Sequence, residues 1–284
     1  MKVRRCDHPM EFLAVTAGFR ASQPVMSNVI GSIATSVARG AAYEDCFWWV
    51  IEDAGEVVGC AMRTVPWRLA IPDLDPHAAR ALGEAVVLED PGVPGVNGPR
   101  PAVDAVYQGM GVTGGVEYGR SSHALVLDEL RPAPAVSGSA RLAVAGDLDL
   151  VTDWFQRFEV DIDAVSPDDD ARWRERVATK VADRAVLLWD VDGRSVSLAG
   201  HAPAVDGPVG PIARIGPVYT PHELRRRGFG TAVTSALVQR LLPQVAEVML
   251  YADAANPTSN GIYASLGFRR QATVVETTYR RVRA

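Results

Sequence analysis

Apolar residues change their period repeatedly along the second half of this chain, and each change predicts an element. Residues 140–146 form a short β-rich run. Residues 147–163 place Leu148, Val151, Trp154, Phe155 and Phe158 at helical spacing. Ser166-Pro167-Asp168-Asp169 reads as a cap with proline at the first helical position, opening a helix to about Arg184. Two strands follow, 185–190 and 195–202, across the turn Val191-Asp192-Gly193-Arg194. A strand ending at Thr220, a helix over 225–242, a strand over 245–252, a helix over 257–266 and a β-rich run over 272–280 complete the order β-α-α-β-β-β-α-β-α-β.

The first half carries a fainter version of the same alternation. Residues 7–19 and 24–40 predict two helices. Residues 47–52 and 56–64 predict strands flanking the turn Asp53-Ala54-Gly55, in parallel with 185–202. Asp73-Leu74-Asp75-Pro76 caps a helix to about Glu89, Asn97-Gly98-Pro99 opens another to about Gly109, and 123–130 ends the half in strand. Between the halves, Arg131-Pro132-Ala133-Pro134-Ala135-Val136-Ser137-Gly138-Ser139 breaks regular structure. This places a boundary near 135, giving domains 1–135 and 136–284. A chain of 284 residues suits two domains of roughly 140 each.

Composition narrows the function classes. The net charge of −5 argues against nucleic acid as a main partner. The three cysteines, Cys6, Cys46 and Cys60, form no Cys-x-x-Cys and fit a reduced compartment better than a disulfide framework. No apolar run approaches the ~20 residues that span a membrane, and the opening residues show no apolar core of a signal peptide. A cytoplasmic protein without a membrane segment, monomeric or homodimeric, is the expectation. None of the five histidines has a metal-ligand spacing with cysteine or carboxylate, so no metal is expected.

The candidate chemistry centres on Arg225-Arg226-Arg227-Gly228-Phe229-Gly230, between the apolar run 212–220 and the helical pattern that starts at Thr231. A strand that turns through glycines into a helix N-terminus makes an anion site, because the first backbone N–H groups of the helix have no internal partner and the dipole favours negative charge there. Glycine lets the backbone approach a phosphate closely. No Gly-Lys-Ser/Thr follows, so this is not the nucleotide P-loop, and the pattern is not Gly-x-Gly-x-x-Gly. Downstream lies Asn256-Pro257-Thr258-Ser259-Asn260-Gly261-Ile262-Tyr263-Ala264-Ser265-Leu266-Gly267-Phe268. The Arg-x-x-Gly-x-Gly turn, then Asn-x-x-Ser with a tyrosine seven residues after the asparagine, then Gly-Phe, resembles the GNAT superfamily of acyl-CoA-dependent N-acetyltransferases. The two motifs stand in that family's order and at its usual separation.

The resemblance covers residues 140–284 by motif and the first half by architecture. It implies an α/β (α+β) fold of two tandem GNAT units, each a mixed, mostly antiparallel central sheet flanked by helices, with splayed central strands in the C-terminal half. It implies acetyl-CoA as co-substrate and an amine acceptor, a small molecule or a peptide, acetylated by direct attack in a ternary complex. The stretch Trp67 to Pro76 has no glycine and carries aspartates where phosphates would need donors, which reads as a degenerate unit that holds no CoA, the alternative being a separate fold with a chance order of elements. A mycothiol-synthase-like acetyltransferase and a non-catalytic acyl-CoA-binding protein are the rival readings.

By the same resemblance the strand end Val218-Tyr219-Thr220 pairs with pantetheine as an added strand, through the backbone of Val218 and Thr220. Arg225, Arg226, Arg227, Gly228, Phe229, Gly230 and Thr231 cradle the pyrophosphate, mostly through backbone N–H. Arg226 and Arg227 read equally as solvated surface charge. Gly216-Pro217 inside the strand predicts either a β-bulge suited to the splay or a simple strand start. Asn256 and Ser259 either cap the helix or hydrogen-bond the CoA arm. Tyr263 matches the family's general acid, which would protonate the departing thiolate, with packing as the bland alternative. No base is evident. Glu159, Asp161 and Asp163 could attract a cationic amine or be an ordinary acidic loop. His201 reads more readily as a packed or edge histidine, and His222 as a loop residue.

Overall fold

The computed structural model describes residues 1–41, 43–162 and 170–279. Among these the first half runs β1 (Lys2–Cys6), α1 (Pro9–Val15), α2 (Ala17–Ser22), α3 (Asn28–Ala38), β2 (Cys46–Asp53), β3 (Glu56–Thr64), β4 (Leu69–Ala70), α4 (Pro76–Glu89), β5 (Val96–Gly98), α5 (Arg100–Gly109) and β6 (Val116–Leu127). The second half runs β7 (Ser139–Leu142), α6 (Leu148–Asp161), α7 (Asp170–Ala182), β8 (Val186–Val191), β9 (Arg194–His201), β10 (Ile212–Tyr219), α8 (Phe229–Leu241), β11 (Glu247–Asp253), α9 (Pro257–Ser265) and β12 (Phe268–Tyr279). The expected cap at Ser166-Pro167-Asp168-Asp169 lies outside the described residues, as do Asp163 and Arg280.

All twelve strands join one sheet in the order β1-β2-β3-β4-β5-β12-β6-β11-β10-β9-β8-β7. Parallel pairing occurs once in each half, β4 with β5 and β10 with β11. The remaining ladders are antiparallel. The last strand of each half has changed places. β12, from the second half, pairs β5 of the first. β6, from the first half, pairs β11 of the second. The two exchanged strands then pair with each other from Phe268↔Leu127 to Tyr279↔Val116. The linker at 131–139 therefore separates the halves along the chain but not in the sheet.

Strand period explains the core. On β2, Trp48 and Val50 face Phe12 and Ile30 of α1 and α3, while Trp49 and Ile51 face Leu82, Val86, Val103 and Val106 of α4 and α5. Both faces are covered, so the strand reads as a continuous apolar run. In the second half, Ala213, Ile215, Val248 and Leu250 pack under Val233, Leu237 and Leu241 of α8. Val186, Leu188 and Leu198 pack under Trp154, Phe155, Trp173 and Val177 of α6 and α7.

Several boundaries differ from the sequence reading. Residues 7–19 do not form one helix: the Thr16 hydroxyl bonds the Phe12 carbonyl at 2.6 Å and accepts from Arg20 at 2.9 Å, and the chain breaks there into α1 and α2. The helix expected over 24–40 starts at Asn28. β7 stops at Leu142, because the Asp147 carboxylate accepts from the Val144 N–H at 2.8 Å and folds 145–147 into a turn. β1, β4 and β5 were not anticipated, and they are short or lie at an edge. α8 begins at Phe229 rather than 225, since Arg226 (φ 62°) and Gly228 (φ 84°) are left-handed.

Candidate active site

The parallel pair β10/β11 is built to open. Its ladder runs from Ile212↔Glu247 to Ile215↔Leu250 and ends there, although both strands continue. At that point β10 carries a cis Gly216-Pro217 bond, and its register against β9 shifts between Ile215 and Val218. This is the bulge that Gly216-Pro217 suggested: proline donates no ladder bond, and Gly216 (φ 152°) takes a backbone shape that other residues resist. Past the bulge, the Tyr219 carbonyl accepts from the Ser197 hydroxyl of β9 at 2.9 Å. Successive backbone groups of an extended strand point to opposite edges, so Val218 presents its own to the gap beside β11. The Tyr219 ring is buried against Trp154, with centroids 5.9 Å apart.

The glycine loop follows within a few residues. Gly228 is the N-cap of α8, in a left-handed conformation, and no side chain caps this helix end. The helix has no acidic residue in its first turn. Its leading N–H groups thus face outward without a side-chain acceptor, the arrangement that suits an anion. The Phe229 side chain is buried and Thr231 nearly so, which leaves their backbone as the part available to a ligand. A methyl group on Gly230 would lie 3.4 Å from the Thr220 hydroxyl. Arg226 and Arg227 are exposed, with Arg227 over the Phe229 ring at 5.4 Å. Arg225 is engaged differently. Its guanidinium bonds the Asp161 carboxylate and the Thr220 carbonyl, the latter at 2.9 Å. His222 meets the same carboxylate at 3.0 Å. Burial raises the Asp161 pKa, yet the bonds from Arg225 and His222 hold it below the ordinary value overall. Arg225 thus ties the loop to the end of α6.

The corresponding helix of the first half starts differently. There the Asp75 carboxylate caps α4 by accepting from the His77 N–H at 2.8 Å. A carboxylate thus stands at the N-terminus of α4, where α8 has none.

A cleft of about 1240 Å³ opens between the halves. Gly216, Pro217 and Val218 line it from the bulge, and Asn256, Ser259 and Tyr263 line it from the helix that follows β11. Ser32, Tyr43, Thr64 and Arg68 line it from the first half. The loop 225–230 stands outside this lining. Asn256 caps α9, its side-chain oxygen accepting from the Ser259 N–H at 3.0 Å. The Tyr263 ring meets Phe268 edge-on at 6.0 Å. Its hydroxyl has no hydrogen-bond partner among the described residues, and burial pushes it up to about 12. The residue as a whole is half-buried even so and lines the cleft, which fits a phenol held at a cleft wall rather than sealed in the core.

Residues 209–280 match the family described as FR47-like protein, a span that covers β10, the loop, α8, β11, α9 and β12. An acetyltransferase of the GNAT family from Colwellia psychrerythraea superposes on 99% of this chain and 100% of its own, with a TM-score of 0.61 at 11% identity. The chain has the fold of the GNAT acetyltransferases. A GCN5-related N-acetyltransferase from Sphaerobacter thermophilus shares the GNAT architecture over 98% of this chain and 95% of its own, with a TM-score of 0.59 and 19% identity. A tandem GNAT protein from the clavulanic acid biosynthesis pathway does so over 98% of each chain, at 0.61 and 15%. No curated protein matches the chain in sequence.

The sequence reading weighed His201 alone and did not bring together the charged wall of this cleft. Lys180, His201 and Arg214 all line it. Burial keeps the His201 pKa below its ordinary value, and its Nδ1 lies 3.0 Å from the Ala202 carbonyl. The available signal was an arginine at the centre of an apolar strand, Ile212-Ala213-Arg214-Ile215. Among the described residues no group of acidic, histidine or cysteine side chains could hold a metal ion, and no helix is long and apolar enough to cross a membrane.

Proposed function

We infer that the protein transfers an acetyl group from acetyl-CoA to a primary amine. The observation that carries this reading is Tyr263, which lines the same cleft as the splayed edge of β10 and whose hydroxyl has no hydrogen-bond partner among the described residues. Pantetheine would extend along Val218 and Thr220 as an added strand. The pyrophosphate would sit on the backbone N–H groups of Gly228 to Thr231, flanked by Arg226 and Arg227, while Arg225 fixes the loop through Asp161. The fit rests on the uncapped N-terminus of α8 and the glycine at its cap. One CoA binds per chain, because Asp75 fills the equivalent position in the first half.

In the ternary complex the amine nitrogen attacks the thioester carbonyl carbon and the C–S bond breaks. The departing thiolate takes the Tyr263 proton, and the phenolate is reprotonated from solvent in the cleft. The nitrogen loses its proton to water. Holding both reactants in one cleft makes the attack effectively unimolecular. The test is release of CoA thiol from acetyl-CoA across an amine library. Amine-dependent release supports the reading, whereas acetyl-CoA binding without turnover of any amine would favour a non-catalytic acyl-CoA-binding protein.

A further inference from the structure

Two cations on the wall of the cleft, Arg214 and Lys180, form no ion pair among the described residues, although Asp183 and other carboxylates also line it. Arg214 gives its Nε to the Asn28 side-chain oxygen and one terminal nitrogen to the Ser32 hydroxyl, each at 3.0 Å. Both acceptors are neutral, and both lie on α3 of the other half. Its second terminal nitrogen, Nη1, has no partner among the described residues. Lys180 on α7 reaches only the His201 carbonyl, at 3.4 Å. Among the described residues neither cation forms an ion pair. Burial, then repulsion from Arg214 and Arg176, pushes the Lys180 ammonium down to about 8, and Asp183 offsets this least. The Arg214 pKa is lowered for the same first reason, with only the Tyr251 and Tyr43 hydroxyls opposing it.

Burying a cation without an anion is costly, and apolar side chains of similar volume would pack the same space without that cost. Here two half-buried cations lie close enough to repel each other and line one cleft. Arg214 stands two residues before the bulge at Gly216-Pro217, so they adjoin the place where the thioester would lie. A fixed guanidinium nitrogen beside an ammonium suits an anionic group with two oxygens. We propose that Arg214 and Lys180 form the anion-binding end of the acceptor site, so that the acceptor is an amine that also carries a carboxylate. This rests on the acetyl-transfer reading for the identity of the ligand, but not for the existence of the anion site. The first half then has a role without holding CoA: Asn28 and Ser32 orient the arginine that receives the acceptor.

Two readouts separate this proposal from acetyl transfer itself. In the first, succinate and inorganic phosphate are titrated into the protein without acetyl-CoA, followed by tryptophan fluorescence, since Trp173 lines the same cleft. Succinate should bind the wild type, at least tenfold more weakly to Arg214→Gln and Lys180→Met, and near normally to Lys180→Arg. Tighter binding of phosphate than of succinate would overturn the carboxylate in favour of a phosphorylated acceptor. In the second, acetyl-CoA turnover is compared for an amino acid and its amide. A preference for the acid that collapses in Arg214→Gln, with acetyl-CoA affinity unchanged, is the expected result. Equal turnover of acid and amide in every variant overturns the proposal while leaving acetyl transfer intact. Loss of acetyl-CoA affinity in Arg214→Gln also overturns it, because the anion would then belong to CoA. Variant-sensitive succinate binding with no turnover of any amine sinks acetyl transfer and leaves the anion site standing. Arg214→Lys retains the charge and serves as the folding control.

Discussion

Gly228→Ala separates backbone strain from ligand contact. Gly228 holds φ 84° and ψ −3° at the start of α8. A non-glycine residue there costs about 1–2 kcal/mol. The added methyl would lie 2.8 Å from a methyl of Val136 in the linker, which must move slightly. For a chain of this size the strain lowers Tm by roughly 2–8 °C. If the loop cradles pyrophosphate, the same methyl also stands where the ligand approaches. Losing one charge-assisted hydrogen bond costs about 1.5–3 kcal/mol, so the Kd for acetyl-CoA should rise about 10- to 100-fold. Gly193→Ala is the matched control. Gly193 has φ 76° in the β8–β9 turn, with nothing within 4 Å of an added methyl. It carries comparable strain with no ligand nearby. Thermal melts and calorimetric titration with acetyl-CoA should show both variants less stable and only Gly228→Ala weak in binding. Normal binding by Gly228→Ala, or equal weakening in Gly193→Ala, would refute the phosphate assignment.

Calorimetry on the wild type should give a stoichiometry near one acetyl-CoA per chain; a value near two would mean that Asp75 does not close the first half. Cutting the chain at 135 strips β6 from its place between β11 and β12, so residues 136–284 alone should show no cooperative melt, and a sharp two-state transition in that fragment would contradict the strand exchange as a folding requirement. Succinate affinity should fall as pH rises through about 8, where Lys180 loses its proton under the influence of Arg214, Arg176 and Asp183, and the fall should vanish in Lys180→Arg; a fall that persists there assigns it to another group.

The second half was legible because its motifs are local. The glycines, the Asn256 cap and the proline in β10 each announce a backbone geometry over a few residues, and the fold follows from their order. The strand exchange was not legible. β6 and β12 have the same apolar alternation wherever they pair, and which neighbour each takes depends on contacts some 150 residues apart, such as His123 with Thr273 at 3.0 Å. Residues 123–130 therefore predicted a strand but neither its true start at Val116 nor its place beside β11. Arg225 illustrates the same limit at the site. Its place beside the glycine turn was legible, whereas its bond to Asp161 on a distant helix was not. The cleft's basic wall joins α7 and β10 and is oriented by α3 of the other half, so no sequence window contained it.

The central claim is that Tyr263 protonates the leaving thiolate during acetyl transfer, and single-turnover thiol release by Tyr263→Phe tests it most directly. The substitution keeps the ring and its edge-on contact with Phe268 and removes only a hydroxyl without a hydrogen-bond partner among the described residues. With acetyl-CoA and a competent amine both saturating, the rate should drop roughly 10- to 100-fold, the low end for general acid catalysis because CoA is a good leaving group. Acetyl-CoA affinity should stay near that of the wild type, since the hydroxyl acts mainly as the C–S bond breaks. An unchanged chemical step in a folded variant would contradict the account.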